Sequence, residues 1–334
     1  MSKRIIYIDI IKVIAFLMVI FNHCDFILLN KSITLFNIHS VMFYFSKAAV
    51  PLFFMISGIL LMNKNDSKIK IFKRIIRLLL PLIGITILWS IFKSGYIDLK
   101  KMINPDYNNF FAYWLWFLIP MIIIYILLPI IRKIVINFEN SNLFKVIIII
   151  ILVFTSILFT ILDFTIKKNF LFITNVMPMP ILYFIYGYLL SKEKNNKKLF
   201  FDSFILIFIN VLIPSLIAFY MKTHSIPYFV LDDYKNIFTF FISSSIFIIV
   251  KYLFGNVKCD NSFTKTMNHL ANNSYGIYLF HVFIIELLIK TTFMVELIDL
   301  SRLESVFVMI ALVIIILDIP IYILKKIPII NDYL

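Results

Sequence analysis

Ten stretches of this 334-residue chain are each apolar for about as long as a lipid bilayer is thick. They begin near Ile5, Ser40, Ile71, Trp114, Phe144, Phe172, Phe201, Asn236, Asn273 and Ser305. A helix needs about 20 mostly apolar residues to cross the hydrocarbon layer, so ten crossings use most of the chain. Composition agrees. Hydrophobic residues make up 62% and charged residues 15%, with a mean hydropathy of +0.97, whereas a soluble domain carries about 25% charged residues. No soluble core of this length hides so much apolar side chain. A cytosolic enzyme and a secreted disulfide scaffold are excluded. The expected fold is all-α: a polytopic integral membrane protein of about ten transmembrane helices, forming a single domain over residues 1–334. The longest gaps, around Lys93–Asn109 and Gly255–Asn272, are too short for another folded unit. Chemistry must then occur within the helix bundle or at its rims.

The first apolar segment contains Asp9, Lys12 and His23 and lacks a small-residue cleavage site, so it is expected to stay as a helix. With ten crossings both termini fall on one side. Placing them in the cytoplasm puts most of the 32 Lys and Arg inside, including Lys68, Lys70, Lys73, Arg74 and Arg77. The positive-inside rule therefore predicts an N-in, C-in arrangement. Topology and contact with anionic membrane lipids account for the net charge of +14 better than nucleic-acid binding, which is not expected. Cys24 and Cys259 fall on opposite sides and should not pair. No metal-ligand spacing occurs among the five histidines, so no metal is expected.

Ionisable groups inside apolar helices are the informative residues, because each costs free energy unless paired or hydrated. Asp9, Lys12 and His23 lie within about 60° of one another around the first helix. Asp9 and Lys12, three residues apart, can neutralise each other and so simply orient the helix. His23 lies about 16 Å beyond Lys12, towards the other leaflet, where interfacial and functional roles are both open. His281 is placed near the bilayer centre by a helix starting at Asn273, with Glu286 five residues on. Function is favoured there over satisfied packing.

Other segments have bland readings beside sharper ones. In Val50-Pro51-Leu52-Phe53-Phe54-Met55-Ile56-Ser57-Gly58, proline frees a backbone carbonyl and Ser-Gly permits close helix approach. Arg74 and Arg77 share a helix face at the cytoplasmic mouth, where they can hold lipid headgroups or grip a phosphorylated ligand. Tyr113-Trp114-Leu115-Trp116-Phe117 reads as an aromatic belt opening the fourth helix.

Taken in order, these segments resemble acyltransferase family 3. The resemblance rests on Asp9-x-x-Lys12 with His23 eleven residues on, the run 50–58, Arg74-x-x-Arg77 before Pro81, Leu115-Trp116-Phe117 with Tyr125 and Pro129, and Tyr278-Leu279-x-His281. It spans nearly the whole chain and is closest to stand-alone members that O-acylate surface polysaccharides. Longer members carry a fused SGNH hydrolase-like domain. Lys12 stands where arginine is commoner, which keeps the charge but loses the planar fork.

The resemblance implies a multi-pass enzyme of the bacterial plasma membrane. Such an enzyme moves an acyl group, most often acetyl, from cytosolic acyl-CoA to a hydroxyl of a surface polysaccharide or lipid-linked glycan. It implies His23 as catalytic base, with Lys12 and Asp9 in the same motif. His281 or Tyr278 is expected to polarise the thioester carbonyl, and Arg74, Arg77, Ser57 and Trp116 to bind the donor. Imidazole suits removal of a hydroxyl proton near neutral pH. A transporter of polysaccharide or lipid-linked sugar is the alternative, although no matching pair of Gly/Pro-broken segments marks the two halves of the chain.

Overall fold

The computed structural model describes residues 5–28, 32–64, 66–97, 112–165, 177–224, 234–257, 261–299 and 303–328. In chain order the helices are α1 (Ile6–Cys24), α2 (Ile33–Ser46), α3 (Ala49–Met62), α4 (Lys68–Ser94), α5 (Leu118–Phe138), α6 (Asn142–Thr165), α7 (Met179–Lys192), α8 (Lys197–Thr223), α9 (Ile237–Phe254), α10 (Ser262–Leu288), α11 (Thr292–Asp299) and α12 (Leu303–Leu324). Single 3₁₀ turns follow α1 (Asp25–Ile27) and precede α5 (Tyr113–Phe117). Eight segments among the described residues are long and apolar enough to cross a membrane. The protein is an all-helical, polytopic membrane protein.

Polar residues start these helices where the sequence supplies them. Ser32, Ser67, Asn196, Asn236 and Asn261 each accept a hydrogen bond from a first-turn backbone N–H, satisfying donors that would otherwise be orphaned. Two expected boundaries move. The run read as one helix from about Ser40 is two helices broken at Lys47–Ala48. Pro51 sits in the first turn of α3, where a backbone N–H would have had no partner within the helix, so the proline is tolerated there and marks the start of α3. The expected start at Asn273 is also corrected, because Asn261 caps α10 and adds nearly three polar turns. Cys24 is buried with a free thiol, and Cys259 lies outside the described residues.

Helices α1 and α3 form the centre. α1 packs on α2, α3, α9, α10 and α12 and buries residues on every side. α6 and α8 instead present large apolar side chains outward, such as Phe154 and Phe208, as a lipid-facing layer should. The closest approach joins α3 to α7. A Cβ on Gly58 would stand 1.9 Å from the Phe184 carbonyl oxygen, and one on Gly187 would stand 2.3 Å from the Met55 Cα. Backbone touches backbone there, the contact that small residues permit in membranes. Gly84, with nothing within 4 Å of such a Cβ, is the internal control.

Gly58→Ala and Gly187→Ala are each expected to cost about 1–3 kcal/mol or more through overpacking that no rotamer relieves. Gly84→Ala should be neutral or mildly stabilising. Thermal unfolding of the three purified variants in one detergent checks this, and equal Tm values for all three would contradict the contact.

Candidate active site

The site is built from the last turn of α1, the C-terminal third of α10 and the 3₁₀ turn before α5. His23 closes α1 and is half-buried. His281 is fully buried, and its ring centroid lies 4.9 Å from that of His23. Because α10 begins at Ser262, His281 is about 28 Å along its helix, not the 12 Å expected from a start at Asn273. It stands level with His23, at the same end of the bundle. Tyr113 completes the group, 5.8 Å ring to ring from His23. Two histidines that look unrelated in sequence thus lie ring against ring.

Backbone bonds lock this arrangement. The Tyr278 hydroxyl donates to the Trp114 carbonyl at 2.6 Å, and the Trp114 indole N–H donates to the Leu279 carbonyl at 3.3 Å. Trp114 is wedged edge-on against Trp89 and Phe283. His281 Nδ1 donates to the Tyr278 carbonyl at 2.7 Å, an assignment that follows from the carbonyl being acceptor only. In the neutral ring Nε2 then carries the lone pair, and it is buried with no hydrogen-bond partner. Around this group, Asp25 meets His39 at 3.3 Å and Lys93 meets Glu286 at 2.8 Å.

Of the expected donor-binding residues, Trp116 lies in the 3₁₀ turn of the site and the two arginines lie elsewhere. Arg74 and Arg77 are at the opposite end of the bundle, called here the Lys325 end. Arg74 donates from one terminal nitrogen to Asp66 at 3.0 Å, while its other terminal nitrogen, also 3.0 Å from the carboxylate, is buried without an aligned hydrogen bond. Arg132 of α5 reaches the same carboxylate at 2.7 Å and also donates to the Leu61 carbonyl at the end of α3. Arg74 is therefore committed to this three-way cluster. Arg77 is exposed and lies over the ring of Tyr275, 6.0 Å from its centroid. The Ser57 hydroxyl donates to Phe53 O of its own helix at 2.8 Å. Trp116 stacks on Tyr234 with ring centroids 5.2 Å apart. Asp9 is buried and Lys12 half-buried, both in the first half of α1 and each engaged by neighbours.

Residues 5–323 match the family model described as an acyltransferase domain, that of acyltransferase family 3. The chain belongs to acyltransferase family 3. No curated protein and no solved structure matched it. As a family 3 acyltransferase it is a membrane-embedded transferase that uses an acyl donor and an acyl acceptor. In this acyltransferase, residues 5–323 run from just before α1 nearly to the end of α12, so both histidines and the arginine cluster fall within the matched domain.

Asp66 and Arg132 were not singled out by sequence, and Tyr113 only as part of an aromatic belt. Arg132 reads as an ordinary basic residue at a helix end, and Asp66 as one polar residue in a short loop. Their signal is the pairing, which only the fold supplies. Burial works against ionising Asp66, but the hydrogen bond from Arg132 and the charges of Arg74, Arg132 and Lys64 outweigh it and hold the carboxyl below its ordinary value. A lowered carboxyl pKa stabilises the fold above the unfolded value of about 3.9 and loses that stabilisation as pH falls through the lowered one. Asp66→Asn should therefore lower Tm by a constant amount from pH 8 to 5. The gap to wild type should close only below about pH 4. A gap that already narrows between pH 7 and 5 would contradict this account of the cluster.

Proposed function

We propose that the protein is an acyl-CoA-dependent O-acyltransferase of the bacterial plasma membrane that esterifies hydroxyls of a surface polysaccharide or lipid-linked glycan, with His23 as general base. The observation that carries this reading is the facing pair His23 and His281, 4.9 Å apart between ring centroids. A carbohydrate hydroxyl attacks a thioester slowly until a base takes its proton, and an imidazole shielded from water is well suited to do so.

In the proposed reaction the acceptor oxygen attacks the thioester carbonyl while its proton passes to His23. The C–O bond forms, the C–S bond breaks, and the CoA thiolate leaves and takes up the proton from the His23 imidazolium. His281 is assigned a different role from the carbonyl polarisation first expected. Its Nδ1–H is used on the Tyr278 carbonyl, so the neutral ring offers Nε2 as an acceptor. It therefore receives a hydrogen bond from the acceptor hydroxyl or from His23 and so fixes the geometry of proton removal. Tyr278 acts through its backbone carbonyl on His281 and through its hydroxyl on Trp114. It is a positioning residue.

The donor is assigned to the Lys325 end, where a soluble polyanion would meet Arg77, and its acyl arm runs between the helices towards His23. With the termini cytoplasmic, donor and acceptor approach from opposite sides of the membrane. Acyl transfer by the purified protein in vesicles, followed by mass spectrometry of the glycan product, is the test. His23→Ala should lower kcat about 10²–10⁴-fold with unchanged Tm. His281→Ala should lower kcat by a smaller factor. Full transfer by His23→Ala would reject the base assignment, and a glycan mass unaltered by removal of the protein from cells would reject the acceptor class.

A further inference from the structure

Lys325 follows α12 by one residue and belongs to none of the motifs. Its ammonium donates to the Asn272 carbonyl of α10, and it lies in the field of Arg77 from α4 and Lys12 from α1. Arg77 in turn sits over Tyr275, whose hydroxyl is buried with no hydrogen-bond partner. Arg77 and Lys325, from separate helices, thus rest on neighbouring positions of one turn of α10, at Tyr275 and Asn272, and Lys12 is near enough to act on Lys325. The neighbouring acids are occupied. Asp66 is held by Arg74 and Arg132, and Asp318 by His269 at 2.7 Å and Asn273 at 2.8 Å. Among the described residues, neither Arg77 nor Lys325 has an ion-pair partner. Like charges gathered in a partly buried place repel unless an anion joins them.

We propose that Arg77 and Lys325, with the Tyr275 hydroxyl beside them, form a phosphate clamp whose ligand is the phosphate-bearing part of the acyl donor. This deepens the acyl-CoA reading and rests on it. Guanidinium and ammonium are charged and donate only, and the phenol can donate beside them, which suits an oxyanion better than a neutral sugar. The clamp also separates two arginines that sequence treats alike: Arg74 builds the wall by way of Asp66, and Arg77 meets the ligand. A lipid phosphate has the same chemistry as a donor phosphate, so the experiment must distinguish them.

The groups facing Lys325 are Lys12 of α1, Arg77 of α4 and the Asn272 carbonyl of α10, with the His269–Asp318 pair nearby between α10 and α12. Burial, then Arg77 and Lys12, bring the Lys325 ammonium down to about 8. A bound phosphate favours the protonated form, so donor binding should weaken as pH rises through about 8.

The test uses the full-length protein in phosphatidylcholine vesicles, with acetyl-CoA and with S-acetylpantetheine, which has the thioester arm but no phosphate. Lys325→Gln should raise KM for acetyl-CoA about tenfold or more and leave KM for acetylpantetheine and kcat unchanged. Lys325→Arg should restore KM and abolish its rise above pH 8. An equal KM rise for both donors, or none for either, overturns the clamp. In parallel, binding of CoA itself and co-purification of phosphatidylglycerol are compared between wild type and Lys325→Gln. Loss of phosphatidylglycerol with unchanged CoA binding assigns the phosphate to lipid and overturns the donor claim. If wild type neither binds CoA nor transfers acetyl, the acyl-CoA reading fails, and the lipid arm alone then decides whether a phosphate clamp exists.

Discussion

A polar side chain surrounded by hydrocarbon has to be enclosed by protein, and that demand decides which helices occupy the middle of this bundle. α1 carries Asp9, Lys12 and His23, and α10 carries Asn273 and His281. They pack against each other, with α3, α9 and α12 completing the enclosure of α1. The predominantly apolar α6 and α8 are left to face outward, with their few polar side chains such as Ser156 and Asn210 turned inward. Inward placement is the arrangement in which every helix meets a solvent it tolerates. The Gly58 and Gly187 contact lets α3 and α7 close one side without intervening side chains.

The same enclosure sorts the chemistry to two ends. At one end the histidine pair is held by hydrogen bonds from residues 113–117 to α10, and these use backbone carbonyls as anchors. A carbonyl fixed in a helix cannot reorient, so the His281 tautomer is set before any substrate arrives. At the other end Asp66 neutralises part of the charge of Arg74 and Arg132 while fastening the loop after α3 to α4 and α5. Among the described residues Arg77 and Lys325 are left without acidic partners there, and the proposed phosphate clamp rests on that imbalance.

Much of this was legible in the chain. The apolar runs gave the helices, since lipid fixes their length, and seven of the ten expected runs start within four residues of a described helix, while those from Ser40 and Asn273 were moved. The run expected from Phe172 appears as α7 from Met179, after residues outside the described set. His23 and His281 stood out because charge-capable groups in lipid are costly. Their meeting did not, because residues 258 positions apart are brought together only by helix packing. The depth of His281 was misjudged because polar residues 262–272 looked like loop, whereas the Asn261 cap and enclosure by neighbours let them continue as helix. Arg74 and Arg77 looked equivalent because spacing reports a shared face and says nothing of a carboxylate in the next loop.

What the sequence alone determined is the solvent, the helical class, the family-bearing motifs and the short list of polar residues that lipid would not tolerate without a reason. These follow from composition and local spacing, which act within a helix or between a helix and its surroundings. Tertiary structure alone decided that His23 faces His281, that Tyr278 spends its hydroxyl on Trp114, that Asp66 binds two arginines and that Lys325 joins Arg77. Each of these depends on the rotation and depth of one helix relative to another. In a bilayer those are set by van der Waals fit and hydrogen bonding between helices, with little help from hydrophobic contrast, so no single segment encodes them.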